Sequence, residues 1–301
     1  MSLTLFLVQT LNGLQFGILL FLIAAGLTLV FGVMDFINLA HGVQYMVGAY
    51  LAAWFTALTG DFFLGLLLAL PTALLFGLLL EWLVFRHLYG RDHLDQVLAT
   101  FGVILFLNEA VKVAWGSSPL SVPIPDAFSG SVRMMDGLLY PVWRLVVIGS
   151  GFAIAIGLAL LVSRTRLGML VRAGAVNAPM VSALGVDIGR LFMIVFGFGA
   201  MLAGFAGAMV APILSVEPGM GDNILILAFV VIVIGGIGFA AALLVGLVDT
   251  LGRSFGPQML RLMLDPSAAS QTGRALAPML IYILMAAVLI VRPAGLFPAQ
   301  R

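Results

Sequence analysis

The sequence predicts an all-α integral membrane protein, a polytopic bundle of about eight transmembrane helices with one or two broken or re-entrant segments. Three observations carry that expectation. Of 301 residues, 62% are hydrophobic and 9% charged, with mean hydropathy +1.19, more apolar surface than a water-soluble core hides. Apolar runs close to the roughly 20 residues that cross a bilayer recur along the whole chain. Glycine reaches 35 residues, as expected where membrane helices pack closely or break.

The runs fall at 11–33, 42–59, 62–85, 94–115, 141–163, 189–213, 223–250 and 274–292. The first reads as a permanent span, because residues 1–15 lack a basic stretch and no small-residue cleavage site follows. Between the first and second runs, Asp35 to His41 offers a place for a helix to break. Gly235-Gly236-Ile237-Gly238 offers another inside the seventh run. Non-helical backbone is tolerated there only where protein or water satisfies its polar groups. In the sixth run, Gly199, Ala203 and Gly207 repeat at four, as do Ala200, Gly204 and Ala208. That spacing predicts a close-packed helix surface. The longer connections are 116–140, rich in Pro, Ser and Gly; 164–188, basic and helix-like; and 251–273, with Pro257 and Pro266. Residues 1–301 read as a single transmembrane domain with no soluble domain attached.

Loop arginines set the expected orientation. One set holds Arg86, Arg91, Arg164, Arg166, Arg172, Arg190, Arg253, Arg261 and Arg274; the other holds Arg133, Arg144, Arg292 and Arg301. The richer set belongs on the cytoplasmic side, which places 116–140 and 214–222 outside. Counting spans then puts both termini outside, against Arg292 and Arg301, unless one segment is a half-helix.

Much chemistry is excluded. With no cysteine there are no disulfides, thiolate metal sites or thiol nucleophiles. Lys112 is the only lysine and no GxxxxGK[ST] loop exists, so the chain is not itself a P-loop ATPase. There is no HExxH or GxSxG, and no catalytic residue, cofactor or metal is expected. A net charge of +1 gives no case for nucleic acid.

The polar residues left inside apolar runs are therefore the informative ones. On a continuous helix Asn38, His41 and Gln44, at i, i+3 and i+6, share one face that Asp35 joins. Such a face suits an aqueous cavity. It equally suits an interfacial turn in which Asp35 and Asn38 cap the second helix. Glu109 and Lys112 read as an ion pair near the external headgroups, with Glu81–Arg86 and Asp249 as interfacial charges at cytoplasmic ends. In 164–190, Asn177 suits a cap, Pro179 a first turn and Gly185 a helix end. Met180, Val181 and Leu184 would give that short helix an apolar face for a partner's groove, or for the headgroups.

Five segments resemble one family: GLTLVFGVMDFINLAHGVQYMVGAY at 26–50, LATFGVILFLNE at 98–109, TRLGMLVRAGAVNAPMVSALGVDIGR at 165–190, GDNILILAFVVIVIGGIGFAAALLVGLV at 221–248 and VRPAGLF at 291–297. In this order they resemble the LivH-like inner-membrane permeases of ABC importers for branched-chain amino acids. The resemblance implies a multi-pass permease of the bacterial inner membrane, with no ATPase activity of its own. It implies two ATP-binding cassette subunits, a second permease subunit, identical or not, and an external solute-binding protein. By the same likeness Asp35, Asn38, His41, Gly42, Gln44, Gly235, Gly236 and Gly238 line the translocation path. Arg172, Ala173, Asn177, Met180, Ala183, Leu184 and Gly185 touch the ATPase. Urea and short amides are alternative solutes. An ion-coupled secondary transporter is a further alternative, disfavoured because the few intramembrane charges form no relay.

Overall fold

A computed structural model of the chain describes residues 3–135, 138–235, 238–261, 264–293 and 295–296. Along it run α1 (Leu3–Met34), α2 (His41–Thr59), α3 (Phe62–Leu83), α4 (His93–Trp115), β1 (Ser131–Met135), β2 (Leu138–Pro141) and α5 (Val142–Arg164). Then follow α6 (Arg166–Ala183), α7 (Ile188–Val210), α8 (Met220–Gly235), α9 (Phe239–Leu260), α10 (Pro266–Leu276) and α11 (Met279–Val291).

Helix ends follow local chemistry. Asp61 caps α3 by accepting the Leu64 N–H at 2.8 Å, and Thr165 caps α6 through the Gly168 N–H at 3.1 Å. Asp187 caps α7 through Arg190 at 3.0 Å, and Asp265 caps α10 through Ala268 at 3.1 Å. Gly60, at φ +73, closes α2 with the left-handed turn that glycine adopts freely.

Among the described residues, six helices are long and apolar enough to cross a membrane, or seven with the bent pair α10–α11 taken as one. Of the eight expected runs, only the second, α2, and the last, the bent pair, are not single spans by this measure. α2 has 19 residues and its first turn carries His41 and Gln44, which dilute its apolar character. The run 223–250 is divided: α8 stops at Gly235 after 16 residues and α9 begins at Phe239. The last run bends by 51° between α10 and α11, where Pro278 interrupts the backbone ladder. α1 begins earlier than expected and reaches 32 residues. α9 runs on through Pro257 into what reads as a connection, and Pro266 sits in the first turn of α10. The stretch 116–140 also contains more order than a loop: β1 and β2 pair antiparallel, with Val132 opposite Tyr140.

The described chain forms two compact units. The first comprises residues 1–24, 126–152 and 226–301. There Gly17 of α1 and Gly246 of α9 meet backbone to backbone, and Gly273 of α10 lies against Pro257. Asn12 Oδ1 accepts the Tyr140 hydroxyl at 3.2 Å and Arg144 Nη1 at 2.6 Å, tying α1 to the hairpin and the start of α5.

The second unit comprises residues 25–125 and 153–225. Its core is the mutual packing of α2, α3 and α7. A methyl group built on Gly48 would strike the Gly204 backbone, one on Gly207 the Tyr45 carbonyl, and one on Gly77 the Ala200 side chain. The small-residue rows of α7 thus do the packing their spacing predicts. Large apolar side chains such as Leu67, Leu75 and Phe106 point outward, a surface suited to lipid rather than water.

Candidate translocation and coupling sites

α1 ends at Met34 and the chain stays non-helical to Ala40. Asp35 takes φ 49, an uncommon conformation for a residue with a Cβ. The break is held on two sides. Phe36 is buried against the rings of Phe85 and Tyr89, each at 5.4 Å between centroids. The Ile37 N–H donates to Gln96 Oε1 at 3.1 Å, while Gln96 Nε2 donates to the carbonyls of Leu88 at 3.3 Å and Arg91 at 3.1 Å. Gln96, buried at the start of α4, thus ties this break to the loop after α3. Sequence reasoning missed it, since its partners lie up to 59 positions away.

Within and just after the break, Asn38 and His41 are 0% exposed and Gln44 is 2% exposed. The expected shared helical face is not what brings them together. Asn38 precedes the helix, and α2 begins at His41 behind Ala40, which offers no side-chain cap. Neither Asp35 nor Asn38 caps α2, so the interfacial-capping alternative also fails. Asp35 is exposed, apart from the buried group. Both polar atoms of the Asn38 amide, and both of Gln44, are buried without a hydrogen-bond partner. A methyl group on Gly26 of α1 would come within 2.9 Å of His41 Nε2 and 2.8 Å of the Gly199 carbonyl, so the imidazole sits at an α1–α7 close approach. Gly42 presses directly against the Gly221 carbonyl in the first turn of α8.

The other expected path residues belong to the first unit. Gly235 ends α8 and Gly238 precedes α9 in an extended conformation, φ −71 and ψ 112. Gly236 lies outside the described residues.

The cytoplasm-assigned segment folds as α6 with a break inside it. Asn177 leaves the helix at φ −157 and ψ 85, and its Oδ1 accepts the Met180 N–H at 2.9 Å. Pro179 sits in the turn so capped, and Gly185 at φ +89 terminates it. The helix is longer than expected, since it starts at Arg166. Its apolar face is also redistributed. Val181 turns inward, 6% exposed, while Val176, Met180 and Leu184 stand out at 88%, 58% and 78%. Arg172, Ala173, Asn177, Ala183 and Gly185 are exposed with them. On the inner side, Gly174 lies 3.3 Å from the Leu191 side chain of α7, counted from a methyl built on the glycine.

Charges elsewhere pair locally. Glu81, 1% exposed, accepts Arg86 Nη2 at 3.1 Å and the Tyr89 hydroxyl at 3.2 Å. Burial, with the Glu81 carboxylate beside it, pushes the Tyr89 hydroxyl well above the usual range. These three, with Asp187, Gly189 and Arg190, line a cavity of about 400 Å³. Lys112 bonds Glu109 at 2.6 Å, and Arg253 bonds Asp249 at 2.8 Å.

Comparison with known sequences adds a second line. Residues 9–291 match the family described as branched-chain amino acid transport system / permease component. The high-affinity branched-chain amino acid transport system permease protein BraD of Pseudomonas aeruginosa is 31% identical over 306 residues, covering 97% of this chain and 95% of the relative. The corresponding LivH protein of Salmonella typhimurium is 27% identical, covering 80% of this chain and 82% of the relative. A probable LivH of Methanocaldococcus jannaschii is 27% identical, covering 76% and 73%. No solved structure matches.

Proposed function

The chain belongs to the family of branched-chain amino acid transport permease components, and from that membership we propose that it is the membrane-spanning subunit of an ATP-driven importer for branched-chain amino acids. The observation that carries the mechanism is the buried amide pair, Asn38 and Gln44, left without partners beside a break in otherwise apolar helices. Such groups are costly at membrane depth unless a pathway or a ligand uses them. In this proposal His41, Gly42 and Asp35 line the path with them, and Gly235 and Gly238 bound an irregular segment of the other unit.

Energy enters through separate subunits. Two ATP-binding cassette subunits engage the exposed row Val176, Met180 and Leu184, together with Arg172, Ala173, Asn177, Ala183 and Gly185. A second permease subunit completes the path, and an external solute-binding protein delivers the solute. When nucleotide draws the ATPases together, α6 moves. The contact of Gly174 with Leu191 passes that movement to α7, and the Gly204–Gly48 and Gly207–Tyr45 contacts pass it to α2. Packed helices with no slack transmit such shifts as rigid bodies. The path then changes the side to which it opens, by differential stability of two states. The alternative of an ion-coupled carrier lacks a relay, because Glu109 and Asp249 are each already paired with a cation.

Reconstitution tests this. The complete complex in proteoliposomes takes up leucine when ATP is present on the ATPase side, and the isolated chain takes up none under any ion gradient. Leu184→Asp uncouples uptake from ATP hydrolysis while folding stability stays within about 0.5 kcal/mol, as for other exposed substitutions. Leucine uptake by the chain alone would refute the assignment.

A further inference from the structure

The two segments that the transport reading requires to move together, α7 and the 35–40 break, meet through the loop between α3 and α4. Phe36 is the one aromatic residue of the break, and it is fully buried. Its ring touches those of Phe85 and Tyr89, each at 5.4 Å between centroids. Both of these lean in turn on α7, Phe85 on Phe196 at 5.0 Å and Tyr89 on Phe192 at 5.5 Å. Phe192 and Phe196 are four apart and so share one face of α7. That helix starts at Ile188, directly after the turn that Gly185 closes, so the face belongs to the end of α7 that follows the exposed row of α6. All of these residues lie in the second unit. Two parallel bridges of rings therefore join α7 to the break.

The Tyr89 bridge has the more tightly defined geometry. Phe85 meets Phe36 and Phe196 at tilts of 50° and 43°, whereas Tyr89 stands edge-on to both of its neighbours, at 81° to Phe36 and 90° to Phe192. Edge-to-face contacts are favoured by the ring quadrupole and fix orientation as well as distance. The Tyr89 hydroxyl donates to Glu81 Oε1 at 3.2 Å, which ties the tip of the ring to the end of α3. On its other side the loop is tied to the break itself, because Gln96 bonds the Leu88 and Arg91 carbonyls and accepts the Ile37 N–H. A shift of α7 by the about 1–2 Å that packed helices make in switching proteins cannot leave both edge contacts of Tyr89 as they are. We infer that Tyr89 is a positioning residue of the transport cycle, its ring carrying the displacement of α7 through Phe36 to the break that holds Asn38. The inference rests on the transport reading above and deepens it, by naming a connection separate from the glycine contacts between α7 and α2. The ring transmits; the hydroxyl only orients it.

The chain has no cysteine, so a nitroxide attached through Leu39→Cys reports on the break alone once the companion subunits are freed of their own thiols. The complete complex in lipid nanodiscs is followed by electron paramagnetic resonance with and without ATP. With Tyr89 in place, ATP changes the spectrum of the label. Tyr89→Phe keeps both ring contacts and keeps that response. Tyr89→Leu loses most of it, and leucine taken up per ATP hydrolysed falls about tenfold, the weight of two aromatic contacts. Phe192→Leu, which cuts the same bridge from the α7 side, reproduces the loss and decides the matter if Tyr89→Leu does not assemble. The two leucine substitutions together do no more than either alone, because they break one link. An ATP response that survives both leucine substitutions, losses that add, or a Tyr89→Phe variant as impaired as Tyr89→Leu would each overturn the role. So would a label that ignores ATP in a complex that takes up leucine normally. Failure of the transport reading shows separately, as absence of ATP-dependent leucine uptake by the unsubstituted complex.

Discussion

The start of α2 and the turn capped by Asn177 in α6 use the same kind of side chain and reach opposite conditions. Asn177 stands exposed, breaks its helix and satisfies the next one by accepting the Met180 N–H at 2.9 Å. Asn38 stands fully buried ahead of a helix it does not cap, with both ends of its amide unpaired. One region spends nothing to hold its shape. The other keeps an unfavourable arrangement in place, supported by Phe36, Gln96 and the glycine contacts around it. Strain and unmet hydrogen bonds persist only where the surroundings over-determine them, and they concentrate at working sites. The difference separates an exposed, satisfied turn from a buried, unsatisfied one, as the proposed coupling and path roles require.

Breaking the support under the buried region has the largest effect. Gly48→Val forces a side chain into the Gly204 backbone and costs about 3 kcal/mol or more, measured by denaturant unfolding in lipid nanodiscs; an unchanged midpoint would show that α2 and α7 part easily. Gln96→Leu comes next. It removes the partner of the Ile37 N–H and the Gln96 bond to the Arg91 carbonyl, while the Leu88 carbonyl keeps the Arg91 N–H, a loss of about 2 kcal/mol, and it lowers leucine uptake because the break is no longer held. Asn38→Leu sharpens the contrast by reversing sign. Removing unpaired amide atoms from an apolar place raises stability by about 1 kcal/mol, yet uptake is abolished. If stability and uptake fell together, Asn38 would be structural. Asn177→Ala is the mildest, costing about 0.5 kcal/mol through the lost cap and reducing the coupling of ATP hydrolysis to uptake.

Features written in local sequence were legible in advance. The Asn177–Pro179–Gly185 turn was readable because a cap, a first-turn proline and a left-handed glycine act on their immediate neighbours. The packing rows of α7 were readable because a four-residue repeat of small side chains fixes one helix face. The break at 35–40 was readable from polar residues interrupting apolar ones, although the shared face was not, since residues ahead of a helix do not obey its period. What depends on distant partners was hidden. Nothing near Gln96 announces that it grips the α1–α2 break, and nothing near Val181 says that it turns inward while Val176 turns out. Two signals were present and passed over. Pro278 marks the bend before α11. The Asp-Gly pair at 136–137, between residues that favour strands, is a hairpin signal within 116–140.

The length of α1 has a bearing on the lipid itself. At 1.5 Å per residue its 32 residues extend about 48 Å, against about 30 Å of hydrocarbon in an ordinary bilayer. Such a helix either leans strongly or lifts its first turns, with exposed Leu3, Leu5 and Phe6, into the headgroup zone. Thickness mismatch thereby becomes a variable that acts on the same rod whose far end adjoins the 35–40 break. Acyl-chain length in the surrounding membrane is thus expected to alter the tilt of this one helix.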